Sequence, residues 1–131
     1  MRLMIVDDHA ATREIIRKTA ALPGFVFCEC GSGDEALLAA REFKPDWVTM
    51  DVNMPGLDGF QATRSLRAEH PSVRVVFVTA YNEPSFRRFL RSSGAIAIIC
   101  KENMPALRVL LESGTAGLNP SANGTQEELP L

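Results

Sequence analysis

The chain has 131 residues, 46% of them apolar, and a formal charge of -2 from 14 Lys plus Arg against 16 Asp plus Glu. Those figures describe one globular domain with no room for a second folded module, and a balance so near neutrality does not suggest a surface built to hold nucleic acid. Cys28, Cys30 and Cys100 cannot all pair within one molecule, and Cys28 and Cys30 flank a single residue, too tight for an ordinary bridge or a CxxC redox site, so reduced thiols are expected.

In chain order, a first strand is predicted over 3–6. This apolar run reaches Asp7 and Asp8 too soon for a signal-peptide core or a membrane span, and a cytoplasmic protein is expected. Ile15, Ile16 and Thr19 fall at helical spacing and predict a first helix, closed by Pro23-Gly24. A strand over 25–30 follows, then a helix with its stripe at Ala36, Leu37, Ala40 and Phe43, closed by Lys44-Pro45-Asp46. The third unit has a strand over 47–50, a helix carrying Phe60, Thr63 and Leu66, and the stop His70-Pro71. A fourth strand over 73–78 precedes a stripe of Phe86, Phe89 and Leu90, with Arg87, Arg88 and Arg91 on its outer side. A fifth strand over 96–100 precedes Leu107, Leu110 and Leu111. Asp34, Asp58 and Asn103 stand where N-caps are expected. From Ser113 onward the chain carries three Gly, two Pro and no periodicity, so 1–112 is the expected domain and 113–131 a flexible tail or linker.

Short β-rich runs alternating with helical stripes predict an α/β fold with a parallel sheet covered on both faces. Ligands of such sheets bind at the carboxyl ends of the strands, where the order of connections reverses. Four of the five predicted strands deliver a polar residue there: Asp7-Asp8, Asp51, Thr79 and Lys101. If the first and third strands are neighbours, two or three carboxylates come together, and their repulsion raises pKa values or calls for a cation. Oxygen ligation suits Mg2+ or Mn2+ and not Zn2+, since no His and Cys cluster is present. Lys101 beside those acids makes sense if a further anion, such as a phosphoryl group, is held, with Thr79 donating to it. Asp51 is central and is the candidate nucleophile, because carboxylates form acyl phosphates. The turn Val52-Asn53-Met54-Pro55-Gly56 can bring the Asn53 carbonyl back toward the metal. His9 reads as a surface residue opening the first helix in preference to a metal ligand, having no second His or Cys nearby in sequence.

The stretches Ile5-Val6-Asp7-Asp8-His9, Met50-Asp51-Val52-Asn53-Met54-Pro55-Gly56-Leu57-Asp58-Gly59, Val78-Thr79-Ala80 and Cys100-Lys101 together resemble the receiver domain of two-component response regulators, over about residues 1 to 112. The resemblance implies a doubly wound five-stranded parallel sheet of order 2-1-3-4-5 with five helices, flavodoxin-like, an order for which a receiver is itself a standard example. It also implies that Asp51 accepts a phosphoryl group from the phosphohistidine of a sensor histidine kinase or a phosphotransfer protein. Asp8 and Asp51 would ligate Mg2+ directly, Asp7 through water and Asn53 through its main-chain carbonyl. Lys101 would pair with a phosphoryl oxygen, and Thr79 would report its presence to the face of helix four, strand five and helix five. That face would engage an output protein or a second copy of the chain. Ala80 matches the small residue beside the phosphoryl group, and Asn53 and Tyr81 stand where the family sets its dephosphorylation rate.

Ile98 occupies the position, three before Lys101, where the family often has Tyr or Phe, and Glu102 replaces the common proline after Lys101, so a trans peptide is expected there. Asp-Asp-His with Lys-Glu is closer to the receivers that precede LuxR-type helix-turn-helix domains, and the chain is expected to be either a single-domain regulator or a receiver cut out with its linker. The rival readings are a receiver-like interaction module that no longer depends on phosphorylation, and a small Mg2+-dependent phosphatase or phosphotransferase. Against the second stands the lack of an Asp-x-Asp pair at a strand end. Neither GxxxxGK[ST] nor GxGxxG is present for a nucleotide.

Overall fold

Strands that are mostly apolar on both faces have to be covered on both, and the chain meets that demand by winding helices to either side of one sheet. The computed structural model describes residues 1–80, 88 and 91–115. Its elements are β1 (Arg2–Val6), α1 (Ala10–Thr19), β2 (Val26–Cys30), α2 (Gly33–Phe43), β3 (Trp47–Met50), α3 (Gly59–Glu69), β4 (Arg74–Thr79), β5 (Ala97–Cys100) and α4 (Met104–Thr115). All strands pair in parallel, in the order β2-β1-β3-β4-β5, as expected. The fourth predicted stripe, Phe86, Phe89 and Leu90, and Tyr81 and Arg87 with it, lie outside the described residues; the elements of the described residues include four helices.

Alternation along the strands divides the core in two. Met4, Val6, Val48, Met50, Val75, Phe77 and Ile98 turn to one face and meet Ala36 and Ala40 of α2 and Ala62 and Leu66 of α3. Leu3, Ile5, Trp47, Val76, Val78, Ala97 and Ile99 turn to the other, against Ile16 and Ala20 at the α1 side and Leu107, Leu110 and Leu111 of α4. Ile15, expected in the stripe of the first helix, is 53% exposed. The helix needs only Ile16 and, one turn on, Ala20 to seat on the sheet, and Ile15 lies about 100° round from Ile16.

Helix ends follow local chemistry. Asp58 caps α3 as expected, its carboxylate accepting from the Gln61 N–H at 2.8 Å. The cap of α2 is Ser32, not Asp34. The Ser32 hydroxyl accepts from the Glu35 N–H at 3.1 Å, Glu35 reaches back to the Gly31 N–H at 2.6 Å, and Asp34 falls inside the first turn. α2 stops at Lys44, which takes φ +52° before Pro45. α4 runs on through 113–115, three residues past the boundary read from composition, because Gly114 seats against Trp47 and Arg74. Described peptides are all trans, including the one after Lys101. Among the described residues no helix is long and apolar enough to cross a membrane.

Candidate functional site

The carboxyl edge of the sheet is built by backbone hydrogen bonds that carry the ladder one residue past each strand. The Asp7 N–H donates to the Cys30 carbonyl at 3.0 Å, the Asp51 N–H to Val6 at 2.9 Å and the Lys101 N–H to Thr79 at 2.9 Å. Three of the four predicted positions are thereby fixed by their main chains as well as by their strands. Strand order does the rest: β1 and β3 are neighbours, so the acids that follow them meet.

Asp7 and Asp51 are buried and Asp8 is partly buried. Lys101 Nζ reaches between the two buried acids, 3.1 Å from Asp7 Oδ2 and 3.7 Å from Asp51 Oδ1. The Asp51 carboxyl is pushed up from its ordinary range, first by burial and then by Asp7. Lys101 and the Asn53 backbone N–H pull in the opposite direction without cancelling the rise, and Asp8 adds a smaller push upward. Thr79, fully buried at the end of β4, Asn53, Ala80, His9, Asp51 and Lys101 line a cavity of about 210 Å³ above the sheet. A larger hollow of about 600 Å³ lies along α1 and β2, away from all of the predicted site residues.

Asp7, Asp8, Asp51 and also His9 each offer one ligand atom such that all four lie within 4.8 Å of one another. Buried Asp7 Oδ2 has the Lys101 ammonium beside it and buried Asp8 Oδ1 the His9 ring, but neither oxygen has an aligned hydrogen bond. A buried carboxylate oxygen in that condition is compatible with Mg2+, a hard cation that takes oxygen donors. The sequence reading set His9 aside for want of a second His or Cys nearby, and the directions of its acidic neighbours come from the fold. His9 Nδ1 stands 3.3 Å from Asp7 Oδ1 and 3.1 Å from Asp8 Oδ1. Two supporting residues were also passed over. Arg13 donates from Nη1 to the Asp7 carbonyl at 2.6 Å and from Nε to Glu29 at 3.1 Å, bracing the acidic turn from behind. Gly59, first residue of α3, lets that helix start directly against the Asp51 peptide. A helical Arg five residues after Asp8 and a Gly just after the Asp58 cap were the available signals.

Ile98 is fully buried between the sheet and the α2–α3 layer, beside Phe77 in the β4–β5 register. Cys28, Cys30 and Cys100 are free thiols, and burial together with neighbouring Cys28 pushes the Cys30 thiol up to about 12. Arg88 is exposed and Arg91 half-buried.

Comparison with known proteins agrees with this architecture. The family model described as the response regulator receiver domain matches residues 3–112. Response regulator GacA of Pseudomonas viridiflava is 44% identical over 103 residues, covering 77% of this chain and 48% of that protein. The chain spans about half the length of the curated relatives it matches. A two-component response regulator of the LuxR family from Aurantimonas sp. SI85-9A1 superposes with a TM-score of 0.80 at 31% identity, covering 90% of this chain and 86% of that one. The response regulator domain of Thermotoga maritima CheB does so with a TM-score of 0.78 at 25% identity, covering 88% and 96%. Sheet order, the acids and lysine gathered on its carboxyl edge, and a family match that spans nearly all of the described residues agree: this chain belongs to the response regulator receiver domain family.

Proposed function

We propose that this chain is a cytoplasmic phosphoacceptor switch in which Asp51 takes a phosphoryl group from the phosphohistidine of a sensor histidine kinase or phosphotransfer protein. The observation that carries the reading is the position of the Lys101 ammonium, 3.1 Å from Asp7 Oδ2 and 3.7 Å from Asp51 Oδ1 on the rim of an open cavity. A purely structural ion pair has no need of a third acid or of an opening beside it.

In the reaction an Asp51 oxygen attacks phosphorus and the P–N bond breaks. Its electron pair leaves on the imidazole, which takes a proton from solvent, and Asp51 becomes a mixed anhydride. Asp8 and Asp51 directly, Asp7 through water and Asn53 through its carbonyl are the residues that would hold Mg2+ or Mn2+. When bound, that ion neutralises the acids and the incoming phosphoryl oxygens. Lys101 holds a phosphoryl oxygen as a point charge, and the Thr79 hydroxyl donates to another. Thr79 and Lys101 terminate or follow adjacent strands β4 and β5. Their movement toward the phosphoryl group therefore shifts the balance between two conformers of the face made by the fourth predicted helix, β5 and α4. That face is the proposed contact for an output protein or a second copy of the chain. The chain acts as a switch whose own residues catalyse its modification, without turnover of a separate substrate.

Ile98 favours a second reading, a receiver-like module whose partner binding ignores phosphorylation, because a fully buried aliphatic side chain offers no hydroxyl or ring to follow Thr79. Phosphoryl chemistry with no change in partner affinity would favour this second reading; the phosphoacceptor chemistry itself is tested first. Intact mass is measured after incubation with a small-molecule phosphodonor, with and without Mg2+, on the wild type and Asp51→Asn. A gain of one phosphoryl group that requires Mg2+ and Asp51 is expected. No gain in the wild type overturns the phosphoacceptor reading.

A further inference from the structure

His9 occupies the N-cap of α1, with φ -104° and ψ 113°, yet its side chain makes no capping hydrogen bond. Ser, Thr, Asp or Asn would ordinarily stand there and satisfy the first-turn N–H groups. Instead, the His9 N–H donates to Asp7 Oδ1 at 2.8 Å, and the turn so formed carries Nδ1 to 3.1 Å from Asp8 Oδ1. The helix forgoes its cap, and the acidic cluster acquires a nitrogen.

We propose that His9 is a ligand of the divalent-cation site and gives it a preference for borderline cations such as Ni2+, Co2+ and Zn2+ over Mg2+. The inference rests on reading the acidic cluster as a cation site, and three observations carry it further. First, the ligand atoms of Asp7, Asp8, His9 and Asp51 lie within 4.8 Å of one another. That spacing lets His9 join Asp8 and Asp51 on one ion, with Asp7 acting through water as proposed above. Second, Asp7 is 1% exposed at its side chain, and its Oδ2, 3.1 Å from Lys101 Nζ, has no aligned hydrogen bond, so one ammonium faces a cluster of three acids. Third, the His9 ring is 65% exposed and lines the same cavity as Asp51, Asn53, Thr79, Ala80 and Lys101, so it can turn onto an ion without unpacking the core. Oxygen donors alone separate the first-row divalent ions weakly. One neutral imidazole raises affinity along the series from Mn2+ to Ni2+ and Cu2+ far more than for Mg2+.

A plain ion pair between a protonated ring and the acids is the competing explanation, and it predicts a different result. A ring that only neutralises the acids competes with every divalent cation alike, and removing it raises Mg2+ and Ni2+ affinity together. The test is calorimetric titration of Mg2+ and, separately, Ni2+ into the untagged wild type, His9→Gln and His9→Asn. Asparagine restores a capping side chain, so that variant is expected to keep or raise its thermal midpoint. The expected result is a loss of Ni2+ affinity of about tenfold or more in both variants, with Mg2+ affinity changed less than about threefold. Ni2+ bound to the wild type should also broaden and shift the His9 ring proton signals. Unchanged Ni2+ affinity in the variants, or parallel changes for the two ions, overturns the inference while leaving the cation site standing. Failure of the wild type to bind either ion overturns the cation-site reading and this inference with it.

Discussion

A β-carbon added to Gly59 would fall 2.1 Å from the Asp51 carbonyl oxygen and 2.8 Å from Val52 Cα. The start of α3 therefore touches the main chain of the candidate phosphoacceptor with nothing between. The Gly59 N–H donates to the Val52 carbonyl at 3.1 Å and closes the loop from Asp51 back onto the helix. Both atoms that the new methyl would strike are backbone, which gives way less readily than a side chain.

Gly59→Ala should accordingly displace the Asp51 loop. A loss of about 2–3 kcal/mol in stability is expected from overpacking against backbone, together with a fall in Mg2+ affinity of at least tenfold. Urea unfolding and metal titration read the two effects. A variant as stable as the wild type, with Mg2+ affinity intact, would show that the loop relaxes freely.

Asp51→Asn should stabilise the metal-free protein. Burial and Asp7 raise the folded-state pKa of Asp51 above 3.8, so between that value and the raised one the native state binds more protons than the unfolded state. Stability then falls as pH climbs through this window, and the penalty is present in full above it. Asparagine has no charge to bury. In EDTA at neutral pH the variant is expected to exceed the wild type by on the order of 1 kcal/mol, an advantage that shrinks as pH falls to about 4. Denaturant midpoints across that range check it, and an advantage independent of pH would refute the electrostatic cause.

Lys101→Met keeps the length of the side chain and removes its charge. Asp7 and Asp51 then lose the cation 3.1 and 3.7 Å away while staying buried. Breaking a fully buried pair costs about 3–5 kcal/mol, but the Lys101 side chain is 24% exposed and solvent screens part of the interaction, so about 1–3 kcal/mol is expected. Millimolar Mg2+ should recover part of that loss by supplying positive charge to the same acids. Thermal melts with and without Mg2+ decide it. Equal losses in both conditions would mean that the lysine acts through packing alone.

Gly114→Ala sets a local preference against a packing constraint. Alanine favours the helix by about 1 kcal/mol over glycine, yet its methyl would lie 2.2 Å from Trp47 Cζ2 and 3.0 Å from Arg74 Nη1. Trp47 is fully buried under the Arg74 guanidinium, which sits 4.0 Å above the ring, and has little room to yield. Overpacking of this kind costs about 1–3 kcal/mol, so a net destabilisation is expected. Trp47 is the single tryptophan, and its emission should shift to the red in the variant. Unchanged emission with a gain in stability would show that α4 ends by fraying, without a seat.

Much of this was legible before the fold was known. The strand over 47–50 is where the apolar run placed it, and Asp58 caps its helix as its spacing suggested. Where local reasoning failed, a neighbour in space or a competing local bond had decided the matter. Asp34 looked like a cap until Ser32, two residues earlier, and Glu35 formed a reciprocal pair around it. Ile15 looked like core, but its turn of α1 faces away from the sheet once Ile16 and Ala20 have seated. α4 runs on to Thr115 with Gly114 seated against Trp47, which lies 67 residues before it and leaves no trace in the composition of the C-terminal segment.

The sequence by itself determined the alternation of strands and helices and the polar residue that ends each functional strand, because periodicity and punctuation are local properties of the chain. Only the tertiary structure decided which of those residues meet. Asp7 and Asp51 are 44 positions apart and become neighbours because the crossover through β2 returns the chain to the far side of β1. The part of the Asp51 pKa rise that Asp7 adds to burial follows from that adjacency, whereas the bracing of Asp7 by Arg13 and the turn of His9 toward the acids are local to the β1–α1 connection. Desolvation and Coulomb interaction depend on separation in space, and in a doubly wound sheet that separation is set by the order of the strands.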